Sequence, residues 1–359
     1  MRRPLQQLRQ LGQSVWLDSI RRSYLEPGGY LPQLLEADEI DGLTSNPTIF
    51  EKALAEDASY DPQLAELAGS DPRDALWELI KADVRAACDL FLPAYRDSDG
   101  RRGFVSIEVD PSKAFDTEET VSEALLLFGE LDRPNLMVKV PGTEQGLPAI
   151  TRLLAEGVNV NVTLLFAVQR YEAVVNAYLE GLRKRAERDE DLASMASVAS
   201  FFVSRVDAKV DAILGDGHPQ LATAGIANAR VAYEVFERVF AGPQFAELAA
   251  AGARVQRPLW ASTSTKNPAY SDVLYVEELA GPDTVDTMPE STLEAFADHG
   301  TVEDRLSGTG GEARHQLERL AEQGVDLDQV TKELEAEGVE KFVASFESAV
   351  QSMAGHLAE

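Results

Sequence analysis

The chain has 359 residues, 44% of them hydrophobic, and 61 acidic against 33 basic residues give a formal net charge of -28. Affinity for nucleic acid depends on Lys and Arg neutralising phosphates, so this charge argues against nucleic-acid binding and against docking on an anionic membrane. We interpret the acidity as a solvated surface, on which any anionic substrate needs a locally basic pocket.

Cysteine, histidine and hydropathy patterns exclude further classes. The single cysteine, Cys88, cannot form an internal disulfide, and the helical pattern around it predicts a small core residue rather than a nucleophile. The four histidines lack metal-ligand spacing. No signal-peptide pattern opens the chain, and no apolar run reaches about 18 residues. These features predict a cytoplasmic enzyme without a metal or an organic cofactor.

Short apolar runs alternate with longer amphipathic stretches up to about residue 300. The strand-like runs lie at 14–18, 40–46, 104–110, 136–141, 158–166, 198–203, 257–263 and 283–289. Between them, residues 119–131 and 170–187 carry apolar residues at three- and four-residue spacing, which predicts helices. Eight strands alternating with helices favour a parallel α/β fold, and eight units match the closure of a (β/α)8 TIM barrel.

The alternative fold is an open, doubly wound sheet, which usually has a glycine-rich phosphate turn after its first strand. Gly28 and Gly29 lie outside any such motif. We therefore predict a single barrel domain over residues 1–359. Residues 304–357 are predicted to form a helical C-terminal extension that packs on the barrel rim or at an interface and takes no part in chemistry.

Polar residues close the predicted strands, at the end of a barrel where functional groups lie. These residues are Asp18, Thr44, Asn46, Glu108, Lys139, Asn161, Thr163 and Ser200. Because six strands each offer at least one of them, we expect the side chains to converge on the barrel mouth. For Asn46, which precedes a proline, turn formation is the alternative role.

Lys139 is the sharpest candidate because it lies inside the apolar run Met-Val-Lys-Val-Pro (137–141). Lysine is rarely buried without a reason, although a lysine at a strand end can also extend its amine to water. Desolvation favours the neutral, nucleophilic amine, whereas nearby Asp18 and Glu108 favour the charged form. The two carboxylates suit general acid–base catalysis, or a salt bridge to Lys139.

Residues after the sixth and seventh strands are candidates for phosphate binding. Arg205 follows the sixth strand, and Ser264 with Lys266 follows the seventh, where barrels often bind phosphate. Arginine suits bidentate contact with phosphate. A surface ion pair with Asp207 is the alternative for Arg205.

Taken together, these motifs resemble the transaldolase family. The segment Gly-Leu-Thr-Ser-Asn-Pro-Thr-Ile-Phe (42–50) is similar to the Thr-[Ser/Thr]-Asn-Pro signature of that family, and residues 137–141 are similar to its Schiff-base lysine segment. The resemblance continues through 105–110, 161–166 and 200–205, covers roughly residues 10–300, and points to a bacterial subgroup with chains of about this length. Phe201 stands where many members have proline, and Thr-Ser-Thr-Lys-Asn (263–267) replaces the Ser-x-Arg-Asn of another subgroup.

The resemblance implies a class I aldolase-type barrel of the non-oxidative pentose phosphate pathway. Such an enzyme transfers a dihydroxyacetone unit from sedoheptulose 7-phosphate to glyceraldehyde 3-phosphate, giving erythrose 4-phosphate and fructose 6-phosphate. By position, Lys139 would form the Schiff base, Asp18 would act as acid and base, and Glu108 with Thr163 would hold the catalytic water. Thr44, Asn46, Asn161 and Ser200 would orient the dihydroxyacetone part, and Arg205, Ser264 and Lys266 would bind the phosphate.

Strand alternation places Phe202 on the same face as Ser200, where an aromatic ring would exclude water from the imine, with plain barrel core as the alternative. Two other functions remain open: an aldolase of the fructose-6-phosphate type that releases free dihydroxyacetone, and a catalytically inactive barrel that binds a partner. Glu108 lies at a position where aldolases of the fructose-6-phosphate type resemble a glutamine pattern. A monomer and a homodimer are both compatible with the sequence.

Overall fold

The computed structural model describes residues 3–358. Its eight strands are all parallel and close into a barrel in chain order. The strands are β1 (Gln13–Leu17), β2 (Gly42–Leu43), β3 (Phe104–Glu108), β4 (Leu136–Pro141), β5 (Val160–Leu165), β6 (Ser197–Phe202), β7 (Arg257–Ala261) and β8 (Thr284–Met288). Each strand overlaps the apolar run that predicted it, so the (β/α)8 fold is confirmed and the open sheet is excluded.

Helices surround the barrel. They are α1 (Pro4–Leu11), α2 (Arg22–Leu25), α3 (Tyr30–Glu36), α4 (Pro47–Glu56), α5 (Asp61–Glu66), α6 (Pro72–Asp97), α7 (Thr117–Leu131), α8 (Gly146–Ala155), α9 (Val168–Ala186), α10 (Ser204–Leu214), α11 (Ala224–Phe240), α12 (Pro243–Ala250), α13 (Leu274–Glu278), α14 (Glu290–His299), α15 (Gly310–Glu322) and α16 (Leu327–Ala358). Within the described part of the chain, no helix combines the length and hydropathy that crossing a membrane requires. Cys88 is fully buried in α6, as predicted.

An apolar layer closes the barrel interior below its carboxyl end. The layer consists of Trp16, Phe104, Met137, Val198, Leu259 and Val285, which come from six different strands and pack in one cluster. Gly42 makes room for this layer, because a Cβ there would lie 2.6 Å from the indole of Trp16. Side chains two residues further along each strand therefore face the same interior one layer higher, at the mouth.

The C-terminal helix α16 lies across the carboxyl ends of β5 and β6. A Cβ on Gly338 would come within 3.0 Å of Leu164, and Phe342 packs in the cluster that contains Leu164 and Phe202. Leu164 itself lies in a bulge of β5 with a left-handed φ of 60°. Hence α16, which begins more than 150 positions after Leu164 in the sequence, covers part of the barrel mouth.

Candidate active site

Lys139 lies at the centre of the mouth, at the fourth position of β4. Only 6% of its side chain is exposed, and Nζ lies 3.3 Å from Oε2 of Glu108 on the neighbouring strand. The amine also donates to the carbonyl of Ser45 at 3.2 Å, and the Phe342 ring centroid lies 5.9 Å away. The lysine is therefore buried against a carboxylate rather than extended to water.

Glu108 is an unusually placed carboxyl group. Burial raises its pKa to about 7, although the adjacent Lys139 ammonium acts in the opposite direction. Apart from the ion pair with Lys139, neither oxygen has a hydrogen-bond partner among residues 3–358, and the same holds for the buried hydroxyl of Thr163. Since buried polar atoms are nearly always satisfied, these three atoms are available to a bound molecule.

Asp18 forms the second carboxylate of the mouth and remains partly exposed to the cavity. The Thr44 hydroxyl lies 2.8 Å from Oδ1 of Asp18 and 2.7 Å from the Thr287 hydroxyl. Burial raises the pKa of Asp18, while the positive charge of Lys139 and the hydrogen bond from Thr44 counteract it. Asp18 is therefore held in a fixed position beside the lysine, with a carboxyl group that binds protons more tightly than in water.

Asn46 has two roles in this arrangement. Its Oδ1 accepts a hydrogen bond from the backbone N–H of Ile49 at 3.1 Å, which caps the N-terminus of α4. Its side chain also hydrogen-bonds Asp18. Asn46 therefore both forms the turn that begins α4 and contributes its side chain to the site.

Asn161 lies deeper than the other predicted site residues. Its Nδ2 donates to Ser106 Oγ at 3.0 Å, and its Oδ1 accepts from Ser200 Oγ at 2.7 Å. Asn161 is fully buried, whereas Ser200 lines the cavity. The structure therefore places Asn161 behind Ser200, where it orients the serine hydroxyl.

Basic side chains also line the mouth. The Arg205 guanidinium lies 5.2 Å from the Phe202 ring centroid, and burial lowers its pKa. Asp207, its alternative partner, instead accepts from the Gly225 N–H. Lys266 donates to Ser264 Oγ at 2.8 Å. Arg205 has no ion pair within residues 3–358, so its charge is free to bind an anion.

One cavity of about 270 Å³ brings these groups together. The predicted residues that line it are Asp18, Thr44, Asn46, Lys139, Thr163, Ser200, Phe202, Arg205, Ser264 and Lys266. Glu108 reaches the site through its contact with Lys139. No group of three or more His, Cys, Asp or Glu side chains in residues 3–358 is arranged to hold a metal ion.

Nine further residues of the cavity wall were not predicted from the sequence, among them Lys52, Thr287, Lys341 and Phe342. Thr287 lies near the end of β8, just as Thr44 follows β2. A polar residue at a strand end could therefore have identified Thr287 from the sequence. Lys52 belongs to α4, and Lys341 and Phe342 belong to α16; on helices no such signal exists. The C-terminal extension, which was predicted to pack on the barrel rim or at an interface and to take no part in chemistry, contributes two side chains of α16 to the cavity wall.

The fold and the site together define a (β/α)8 barrel enzyme with a buried lysine–carboxylate pair at the carboxyl end of the barrel, the arrangement expected of a lysine nucleophile. The family model for transaldolase/fructose-6-phosphate aldolase matches residues 15–353. A transaldolase of Parafrankia sp. (strain EAN1pec) is 51% identical over 96% of this chain and 96% of its own length. Transaldolases of Mycolicibacterium smegmatis (49% identity, 96% and 95% coverage) and Saccharopolyspora erythraea (51%, 97% and 96%) are similarly related. The chain belongs to the transaldolase/fructose-6-phosphate aldolase family.

Proposed function

We propose that this chain is a transaldolase that carries a dihydroxyacetone unit on Lys139, as a Schiff base, from one sugar phosphate to another. The observation that supports this most directly is the buried Lys139 amine, 3.3 Å from Glu108 and in the same cavity as Asp18 and Arg205. An amine nucleophile, two acid–base groups and a cation for phosphate are the parts that the reaction needs.

Schiff-base formation begins with the transfer of a proton from Lys139 Nζ to Glu108. The raised pKa of Glu108 favours this transfer, which replaces a buried ion pair with a neutral pair and frees the nitrogen lone pair. The nitrogen then adds to the ketose carbonyl carbon, and one of the protons on nitrogen moves to the former carbonyl oxygen, which gives a neutral carbinolamine. Glu108 returns its proton, so that the carbonyl oxygen leaves as water and a protonated imine remains. Glu108 and Thr163, with their unpaired oxygens, would hold that water.

Carbon–carbon cleavage follows from the imine, which accepts electrons. Asp18 takes the proton of the C4 hydroxyl, the C3–C4 bonding electrons move into the imine, and an aldehyde leaves. A three-carbon enamine stays bound to Lys139. Addition to an acceptor aldehyde reverses these steps, with Asp18 returning the proton, and hydrolysis of the new imine releases the product.

Two groups of residues that line the cavity account for the proposed substrate contacts. Thr44, Asn46 and Ser200 face the position of the dihydroxyacetone hydroxyls, with Asn161 behind Ser200. Arg205, Ser264 and Lys266 would bind the phosphate of sedoheptulose 7-phosphate, fructose 6-phosphate or glyceraldehyde 3-phosphate. We place this reaction in the non-oxidative pentose phosphate pathway of the cytoplasm.

Borohydride trapping tests this proposal. Reduction of the wild-type protein in the presence of fructose 6-phosphate should leave a stable adduct on the peptide that contains Lys139. Lys139→Met should abolish the adduct and lower turnover by about 10⁴-fold or more, as expected for loss of a nucleophile. Lys184→Met, at a half-exposed lysine of α9, serves as the matched control and should behave as wild type.

Three outcomes would contradict the proposal. An adduct on another lysine would move the Schiff base away from β4. A folded wild-type protein that forms no adduct and transfers no carbon unit would favour the inactive binding barrel. Accumulation of free dihydroxyacetone without transfer would instead indicate an aldolase of the fructose-6-phosphate type.

A further inference from the structure

Two helices that lie outside the barrel each direct a lysine into the active-site cavity. Lys52 belongs to α4 and Lys341 belongs to α16, and both line the cavity together with Arg205 and Lys266. The four basic residues come from α4, α10, the loop after β7 and α16. The cationic cluster in the cavity therefore includes basic residues beyond those that follow β6 and β7.

Hydrogen bonds fix the position of these two helices relative to each other. The Thr48 hydroxyl bonds to Ser345 Oγ at 2.8 Å, and Ser348 Oγ donates to Glu51 at 2.6 Å. Each bond joins α4 to α16 close to Lys52 or Lys341. Phe342, which is 4% exposed, anchors α16 in the apolar cluster directly beside Lys341. The two lysines are thus carried on a pair of helices that are hydrogen-bonded to each other.

The charge distribution indicates a ligand for this cluster. Within residues 3–358, Lys52, Arg205, Lys266 and Lys341 form no ion pair with a carboxylate, although the chain carries 61 acidic residues. The positive charges are close enough to affect one another: burial lowers the pKa of Lys266, and repulsion from Lys341, Arg205 and Lys52 lowers it further. The carboxylate of Asp18, in the same cavity, offsets part of this repulsion, and a bound dianion would relieve more of it.

We propose that Lys341 of α16 and Lys52 of α4 bind the phosphate group of the sugar-phosphate substrates, so that the C-terminal helix is part of the phosphate site. The inference rests on the proposed function, because it requires a phosphorylated substrate at Lys139. The four basic residues surround the phosphate from different elements, and they serve the ketose phosphate and the shorter aldehyde phosphate alike.

The test replaces Lys341 and Lys52 separately and compares each variant with a control lysine of α16. Lys341→Met and Lys52→Met should each raise the KM for fructose 6-phosphate and the inhibition constant of inorganic phosphate by about fivefold to tenfold, since a charged contact is lost at a partly screened position. Most of the effect should lie in KM rather than kcat, and turnover of unphosphorylated fructose should fall by less than about twofold. Lys341→Arg should restore the phosphate response.

Lys332→Met is the matched control. Lys332 is also an exposed lysine of α16, but it lines a groove beside α9 rather than the active-site cavity, so its replacement should change neither constant. The inference is overturned if the Lys341 and Lys52 variants, with melting temperatures near that of wild type, match the control, or if phosphorylated and unphosphorylated donors suffer equally. Intact borohydride trapping on Lys139 in the same variants would leave the proposed function standing in that case.

Discussion

Both ends of the barrel carry buried charged side chains, but the two ends differ in whether these side chains have partners within the protein. At the amino end, Asp41 is fully buried and shared by two arginines: it lies 2.9 Å from Arg9 Nε and 3.3 Å from Arg102 Nη1. Arg257, at the start of β7, donates to Ser14 Oγ at 2.8 Å. Each of these charged groups has a partner within the protein.

At the carboxyl end, partners are missing within residues 3–358. Glu108 has only its ion pair with Lys139, and Thr163 Oγ1 has no hydrogen bond. Arg205 and Lys341 have no carboxylate partner either. The difference agrees with the general organisation of such barrels, in which residues at the amino end contribute to stability and residues at the carboxyl end to function. We infer that the paired charges of the amino end stabilise the fold and that the unpaired groups of the carboxyl end bind substrate.

The largest expected effect concerns stability at the amino end. Asp41→Asn leaves two guanidiniums around a neutral amide, and we expect a loss of about 3–4 kcal/mol in the free energy of unfolding, measured by urea denaturation. The kcat of the folded protein should change little. Asp38→Asn is the matched control, because Asp38 pairs with the same two arginines but its side chain is 65% exposed, so its loss should stay below about 1 kcal/mol. Equal losses would refute the assignment of stability to the buried carboxylate.

A second prediction concerns the pH dependence of stability at the carboxyl end. Because burial raises the pKa of Glu108 to about 7 from the ordinary 4.5, the native state favours its protonated form. The stability from this group is fully present below about pH 4.5 and is lost as the pH rises through about 7. Glu108→Gln removes this dependence.

The free energy of unfolding of Glu108→Gln, relative to wild type, should therefore increase by about 2–3 kcal/mol between pH 5 and pH 8, while transfer activity falls. Urea denaturation at both pH values measures this difference. Glu36→Gln, at an exposed position of α3, should show no such trend. A pH-independent difference for Glu108→Gln would mean that Glu108 is charged in the native state throughout this range.

The smallest expected effect distinguishes transfer from simple cleavage. The Phe202 ring is 6% exposed, lines the cavity and packs 5.1 Å from the Phe166 ring, so we expect it to exclude water from the enamine of the proposed reaction. Phe202→Tyr adds a hydroxyl that can donate a proton or position water. We expect a severalfold rise in free dihydroxyacetone relative to transfer, with trapping on Lys139 retained. Phe201→Tyr, on the outer face against Tyr171, should leave the ratio unchanged in the folded protein.

Sequence patterns identified much of this site because they are local. Alternating and apolar runs predicted every strand, and residues two positions apart on a parallel strand must share a face, so Ser200 and Phe202 could be paired in advance. Thr287 carried the same strand-end signal as Thr44 and was overlooked. Asn161 was predicted as a substrate contact, but only the packed structure shows that both ends of its amide are used by Ser106 and Ser200.

The surroundings of Lys139 could not be decided from the sequence, because the burial of its side chain and its distance from the carboxylates depend on tertiary packing. The structure gives 3.3 Å to Glu108 and a side chain that is only 6% exposed. The amino-acid sequence alone determined the eight strands, their polar ends and the lysine, since each depends on neighbours within a few positions. Only tertiary structure decided that α16 covers the mouth and brings Lys341 into the same cavity as Arg205, because the docking of a helix depends on contacts between residues far apart in the chain.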